Sequence, residues 1–191
     1  LMIKLIGIAG SLRRHSYNRG LLRAAAESVP GGVTLQAASI DDVPLYNGDI
    51  EQEQGIPAPV ARLKDEIEAA DGLLLVTPEY NNGIPGVFKN AIDWASRPPA
   101  DGVRIFTGKP VALIGASPGG FGTVLSQSGW LPVLRTLGTQ LWVEQRLLVS
   151  RAGDRFDQEG NLVDDGTRQQ LAQFMAGFAQ YVQRCLDARP K

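Results

Sequence analysis

Three short segments of this 191-residue chain carry residue types that could hold a ligand. The first reads Gly10-Ser11-Leu12-Arg13-Arg14-His15-Ser16-Tyr17-Asn18-Arg19, between an apolar run and a helical pattern. It offers hydroxyls at Ser11 and Ser16, an amide at Asn18 and three arginines. A helix N-terminus presents free backbone N–H groups with the dipole behind them, so such a segment favours an anion. Ser and Asn add donors, and Arg grips phosphate through its planar fork. Several other loops are excluded. The chain has no G-x-x-x-x-G-K-[ST] and no G-x-G-x-x-G, the segment has no cysteine, and no acidic cluster ends the preceding run. What remains is a phosphate that is bound without being attacked, or a polar loop with an ordinary Ser16 helix cap.

The second segment is Thr77-Pro78-Glu79-Tyr80-Asn81-Asn82-Gly83-Ile84-Pro85-Gly86. Its prolines stiffen the backbone and its glycines permit close approach. Tyr80 can offer a ring face, and Asn81, Asn82 and the peptide groups can offer edge hydrogen bonds. That chemistry suits a planar heterocycle; the alternative is a rigid turn with Asn-Gly in the left-handed region. The third segment, Ser117-Pro118-Gly119-Gly120-Phe121-Gly122, lowers its wall with glycine, as a close-approaching ring or a flexible turn would require.

The elements that must position these loops alternate. Met2 to Ala9 reads as a buried strand, and Leu21, Leu22, Ala25, Ala26 and Val29 form a helical stripe that stops at Pro30-Gly31-Gly32. Val33 to Ile40 is a second strand. Asp41 to Pro57 reads as loop. Val60, Leu63, Ile67 and Ala70 stripe a second helix, and Leu73 to Val76 is apolar on both faces, as in a central parallel strand. A helix over about Val87 to Ser96 ends at Pro98-Pro99. Val111 to Ile114 is a fourth strand, a helix lies within Thr123 to Leu137, and Gln140 to Val149 supplies one or two last strand segments. The final helix carries Leu171, Phe174, Met175, Phe178, Val182 and Cys185 on one face, with Asp164 or Asp165 as its cap. This order predicts one α/β domain over residues 2–188, a doubly wound parallel sheet with helices on both faces. In such a sheet the ligand lies beyond the carboxyl ends of the strands, where all three segments fall.

Composition narrows the function. With 20 acidic and 19 basic residues and no basic stripe, a nucleic-acid partner is not expected. No apolar run nears the ~20 residues of a membrane span, and no signal-peptide pattern precedes the first strand. The one cysteine, Cys185, excludes a disulfide framework, fits a reducing cytoplasm and reads as inert core. Asp41, Asp42 and Asp49 make no metal spacing, so no metal is expected. His15, the one histidine, reads as a solvated loop side chain, and Phe88, Trp94 and Trp130 as core aromatics.

Taken together, Gly10-Ser11-Leu12-Arg13 with Ser16 and Asn18, and Pro78-Glu79-Tyr80-Asn81 through Lys89-Asn90-Ala91-Ile92-Asp93-Trp94, resemble the NADPH-dependent FMN reductase family. The family includes quinone, azo-compound and chromate reductases. The resemblance implies a flavodoxin-like five-stranded sheet in the order 2-1-3-4-5, bound FMN, and NADPH or NADH as co-substrate. It implies that Ser11, Arg13, Ser16, Tyr17 and Asn18 surround the FMN phosphate. It places Pro78, Glu79, Tyr80, Asn81, Asn82 and Gly83 along the ribityl chain and isoalloxazine, with Ser117 and Gly120 near the ring. It also implies a homodimer or homotetramer and a small electron acceptor such as a quinone, free flavin, azo compound or chromate. The cofactor carries the hydride chemistry, so no side chain need be catalytic. A flavodoxin-type carrier that does not react with NADPH is the alternative; its usual strong acidity is absent here.

Overall fold

Strict alternation along the central strands decides the layering. In the computed structural model, which describes residues 2–188, β1 (Ile3–Ala9), β3 (Gly72–Val76) and β4 (Pro110–Ala116) form the middle of a parallel sheet. Leu74, Val76, Ala112 and Ile114 face one layer, while Leu73, Leu75, Val111 and Leu113 face the other. Side chains that point alternately up and down a strand require cover on both faces. Helices α1 (Tyr17–Glu27) and α7 (Asp165–Asp187) cover the first face through Leu21, Leu22, Phe174 and Phe178. Helices α3 (Ala58–Ala69), α4 (Gly86–Ala95), α5 (Pro99–Phe106) and α6 (Val124–Thr136) cover the second through Leu63, Ile67, Phe88, Ile105 and Trp130.

The order is β2-β1-β3-β4-β5, with β2 (Val33–Ala38) at one edge. The expected flavodoxin-like topology is therefore present. The fifth lane is broken in two: β5 (Gln140–Leu141) pairs with the start of β4, and β6 (Leu147–Val149) pairs with its end. Just after β5, Trp142 still donates its N–H to the Val111 carbonyl at 2.8 Å while its ring packs on Phe174 and Phe178, with centroids 4.8 and 5.8 Å away; the pairing lapses beyond it, until Leu147.

Two helices lie where the sequence pattern indicates none. Gly48–Gln54 forms α2 inside the segment read as loop. It buries no residue and so has no apolar stripe to read. Asn47 caps it, and Glu51 fastens it to Arg97. The Arg97 guanidinium holds the Glu51 carboxyl below its ordinary pKa range. Pro98-Pro99 does end α4, but Pro99 also opens α5, because proline suits the first turn of a helix.

Phe88, Trp94 and Trp130 are fully buried, as expected of core aromatics. Phe88 meets Trp130 edge-to-face at 4.9 Å, and Trp94 donates its indole N–H to the Pro44 carbonyl at 2.9 Å. Cys185 departs from expectation. It is half-buried rather than core, because it sits near the C-terminal end of α7, where the helix runs out toward solvent.

Candidate active site

The chain leaves β1 for the edge strand β2 and returns to β3 on the other side of β1, so the loops after β1 and β3 diverge and open a crevice between them. A cleft of about 320 Å³ lies there, within the size range of small-molecule sites. The first loop lines it with Ser11, Arg13, Ser16, Tyr17 and Asn18. The second contributes Pro78, Glu79 and Tyr80, and the end of β4 contributes Ala116, Ser117 and Pro118. Asn81, Asn82, Gly83 and Gly120 lie outside this lining.

Ser16 sits in extended backbone, and its Oγ accepts the N–H groups of Asn18 at 3.2 Å and Arg19 at 3.3 Å, capping α1. No acidic residue occupies the first turn of α1, so the positive end of its dipole is not offset from within. A serine hydroxyl that accepts can still donate its own hydrogen toward an anion. The cap and the anion cradle are thus compatible uses of one side chain. Arg13 lays its guanidinium over the Tyr17 ring, 5.1 Å from the centroid, and Tyr17 rests on Phe156 at 5.2 Å.

Asn18 lines the cleft, but its side-chain amide is committed to backbone. Its side chain is buried; the amide donates to the Ala116 carbonyl and accepts from the Ala116 N–H, both at 2.8 Å. Both polar ends are engaged by backbone, so Asn18 braces the first loop against the end of β4. Arg19 is likewise committed. Its Nε donates to the Ser11 carbonyl at 2.9 Å, and its guanidinium pairs with Asp41. Asp42 is paired with Arg62. His15 is exposed, with Nδ1 3.2 Å from the Glu159 carbonyl.

The second loop closes as a two-residue hairpin. Tyr80 and Gly83 exchange N–H···O bonds at 3.1 Å each way, and Asn81 and Asn82 take φ of 49° and 62°. Two consecutive positive φ values mark a type I′ turn. The left-handed residues are therefore Asn81 and Asn82, whereas the sequence suggested an Asn-Gly pair; short polar side chains tolerate this region. Tyr80 is 48% exposed, and its hydroxyl reaches Ser11 Oγ at 3.4 Å.

In the third loop the Ser117 hydroxyl donates to the Gly122 carbonyl at 2.5 Å, pinning both ends. Gly120 stands in open space: a Cβ there would meet no atom within 4 Å. Sequence reasoning missed Ala116 in the lining and Ser126 beneath it; Pro118 and Thr77 fell within the selected segments without a role of their own, and Trp130 read only as a core aromatic. The Thr77 hydroxyl lies 2.7 Å from that of Ser126 and accepts the Trp130 indole N–H at 3.1 Å. No local signal marks these residues, since they meet only when α6 packs on the sheet.

Fold and cleft define a flavodoxin-like α/β protein with a polar loop and a helix N-terminus at its switch point. Residues 3–154 match the family described as NADPH-dependent FMN reductase, and the chain belongs to that family. It is 43% identical over 182 residues to an NAD(P)H-dependent FMN reductase of Pseudomonas aeruginosa, covering 95% of this chain and 96% of that one. It is 39% identical over 182 residues to a 2-hydroxy-1,4-benzoquinone reductase of a Burkholderia species, covering 95% and 97%. Among solved structures it resembles FerB, a flavoenzyme NAD(P)H:(acceptor) oxidoreductase from Paracoccus denitrificans. The TM-score is 0.84 at 33% identity, over 96% of this chain and 98% of that one. The expectation of a flavin-dependent oxidoreductase agrees with this membership.

Proposed function

We propose that residues 2–188 form one FMN-binding domain whose cleft passes reducing equivalents from NADPH or NADH to a small acceptor of the quinone class. The observation that carries the reading is the N-terminus of α1. It is capped by Ser16, free of acidic side chains in its first turn, and flanked by Ser11 and Arg13 at the carboxyl edge of the sheet. These donors fit a phosphate. Tyr17 holds the Arg13 guanidinium over its ring, which limits the arginine's freedom before any ligand arrives. Pro78, Glu79 and Tyr80, followed by the turn Asn81-Asn82-Gly83, would flank the ribityl chain and the flavin ring. Ser117 and the open backbone at Gly120 leave room beside them. Asn18 serves this site as a brace.

The redox chemistry, hydride in from the nicotinamide and two electrons out to the acceptor, would be supplied by FMN. The chain's own residues bind the phosphate and orient the ring. His15 is engaged with Glu159 and is assigned no proton transfer. The benzoquinone reductase relative supports the quinone class. We infer a cytoplasmic homodimer or homotetramer. Leu125 and Leu131, each 46% exposed on α6, support a self-contact, and the one free cysteine suits a reducing compartment. Among the described residues, no helix is long and apolar enough to cross a membrane.

The test is spectroscopic. Protein purified with FMN should show a bound-flavin visible spectrum that bleaches within seconds of anaerobic mixing with NADPH or NADH and recovers on adding a benzoquinone. A flavin spectrum that both nicotinamides leave unchanged would assign the chain to carriers. Protein that takes up no FMN would remove the site.

A further inference from the structure

Glu79 stands in the wall of the cleft, yet its carboxylate is turned onto α6. Oε2 accepts the backbone N–H groups of Leu125 at 2.8 Å and Ser126 at 3.0 Å. Both lie in the first turn of α6, where N–H groups have no partner within the helix. Thr123, at the cap position, makes no side-chain capping bond; its hydroxyl accepts from Gln127 Nε2 at 3.1 Å instead. The cap of α6 therefore comes from 46 residues away in sequence. A carboxylate there satisfies two orphan donors and lies at the favourable end of the dipole. Just upstream, the buried Thr77 hydroxyl engages Ser126 and Trp130 of the same helix. The backbone entering the second loop is thus fastened to α6 at two points before the hairpin begins at Tyr80.

We propose that Glu79 is a positioning residue for the cofactor. It fixes the Tyr80–Gly83 hairpin by gripping α6 and acts on the flavin through the backbone of its loop. The inference rests on the FMN reading above. Without the grip, the hairpin shares its bound position with others, and the apparent Kd rises by the reciprocal of the competent fraction. Charge alone does not provide this role; reach does. Gln is as long as Glu and keeps one carbonyl acceptor, while Asp keeps the charge but is one methylene shorter.

The experiment compares wild type with Glu79→Ala, Glu79→Gln and Glu79→Asp, using FMN titration, visible circular dichroism of the bound flavin, and amide hydrogen exchange at Leu125 and Ser126 in the apoprotein. We expect Glu79→Ala to weaken FMN binding on the order of tenfold, as for a hairpin whose competent fraction falls to about a tenth. It should also alter the flavin dichroism and speed exchange at both amides. Glu79→Gln should restore most of the affinity and dichroism, and Glu79→Asp should not. If the alanine variant does not fold, the Gln and Asp pair carries the comparison. Faster exchange with wild-type affinity and dichroism overturns the proposal, leaving Glu79 a plain helix cap. A wild-type chain that binds no FMN overturns the site itself, and is seen before any variant is compared.

Discussion

Removing the Asn18 side chain tests how the first loop is held. The amide exchanges two 2.8 Å hydrogen bonds with the Ala116 peptide, and both residues are buried, at 3% and 2% exposure. Asn18→Ala leaves the Ala116 N–H and C=O without partners in a dry place. Each orphaned backbone group costs about 1–3 kcal/mol, against which the variant recovers roughly 1 kcal/mol of side-chain entropy. The net loss is about 3 kcal/mol, which for a domain of this size lowers Tm by about 6–12 °C. Urea unfolding of the apoprotein should show a lower midpoint at unchanged m-value, since the surface exposed on unfolding is the same. Asn18→Asp adds a sign. At neutral pH a carboxylate oxygen faces the Ala116 carbonyl and cannot donate; the protonated acid can. Folding then favours the protonated form and raises this carboxyl's pKa, so the variant should regain stability as pH falls toward the ordinary carboxylate range. A loss below about 1 kcal/mol in Asn18→Ala would mean that water replaces the amide at little cost, and the brace would be refuted.

Three further outcomes follow from particular contacts. Ser16→Ala should cost about 1 kcal/mol of stability through the lost α1 cap and weaken FMN binding several-fold; Ser16→Thr should retain most of both, and equal affinity in all three would exclude the cap hydroxyl from the phosphate site. Gly20→Ala should fail to fold stably, because its Cβ would lie 1.7 Å from the Gly160 carbonyl oxygen, a backbone atom that cannot swing aside; a Tm within a few degrees of wild type would contradict that packing. Asp164 caps α7, and its hydrogen bonds from the Thr167 hydroxyl and N–H hold its carboxyl below the ordinary pKa. Its stabilisation is complete above the ordinary carboxylate range and is lost as pH falls through the depressed value. The Tm gap between wild type and Asp164→Asn should therefore narrow as pH falls below the ordinary carboxylate range, and a constant gap would show that the charge does not matter.

The sheet was legible because its signal is local. Leu73 to Val76 and Val111 to Ile114 are apolar at every position, which only a strand covered on both faces tolerates. The long stripe on α7 was legible for the same kind of reason. Helix α2 was not, because what holds it is Arg97 on Glu51 and the contacts of the Pro44–Tyr46 stretch with Asn90 and Trp94, all far away in sequence. The broken fifth lane was legible only as one or two segments, since the gap follows Trp142, whose ring packs on α7 residues far along the chain while its N–H still bonds to β4.

At the site, residue types and spacing were enough to select the loops. Ser16 before a helix, two arginines beside it, and a Pro-stiffened polar turn after the most apolar strand are facts of chain chemistry that no packing alters. What each side chain does was decided by the tertiary structure. Asn18 and Glu79 carry the same donors and acceptors in the sequence as residues that touch a ligand. Their partners, the Ala116 peptide and the first turn of α6, come within 3 Å only once the chain has folded. A hydrogen bond needs that approach, and sequence spacing sets it within a helix or turn but not between segments separated by most of a domain.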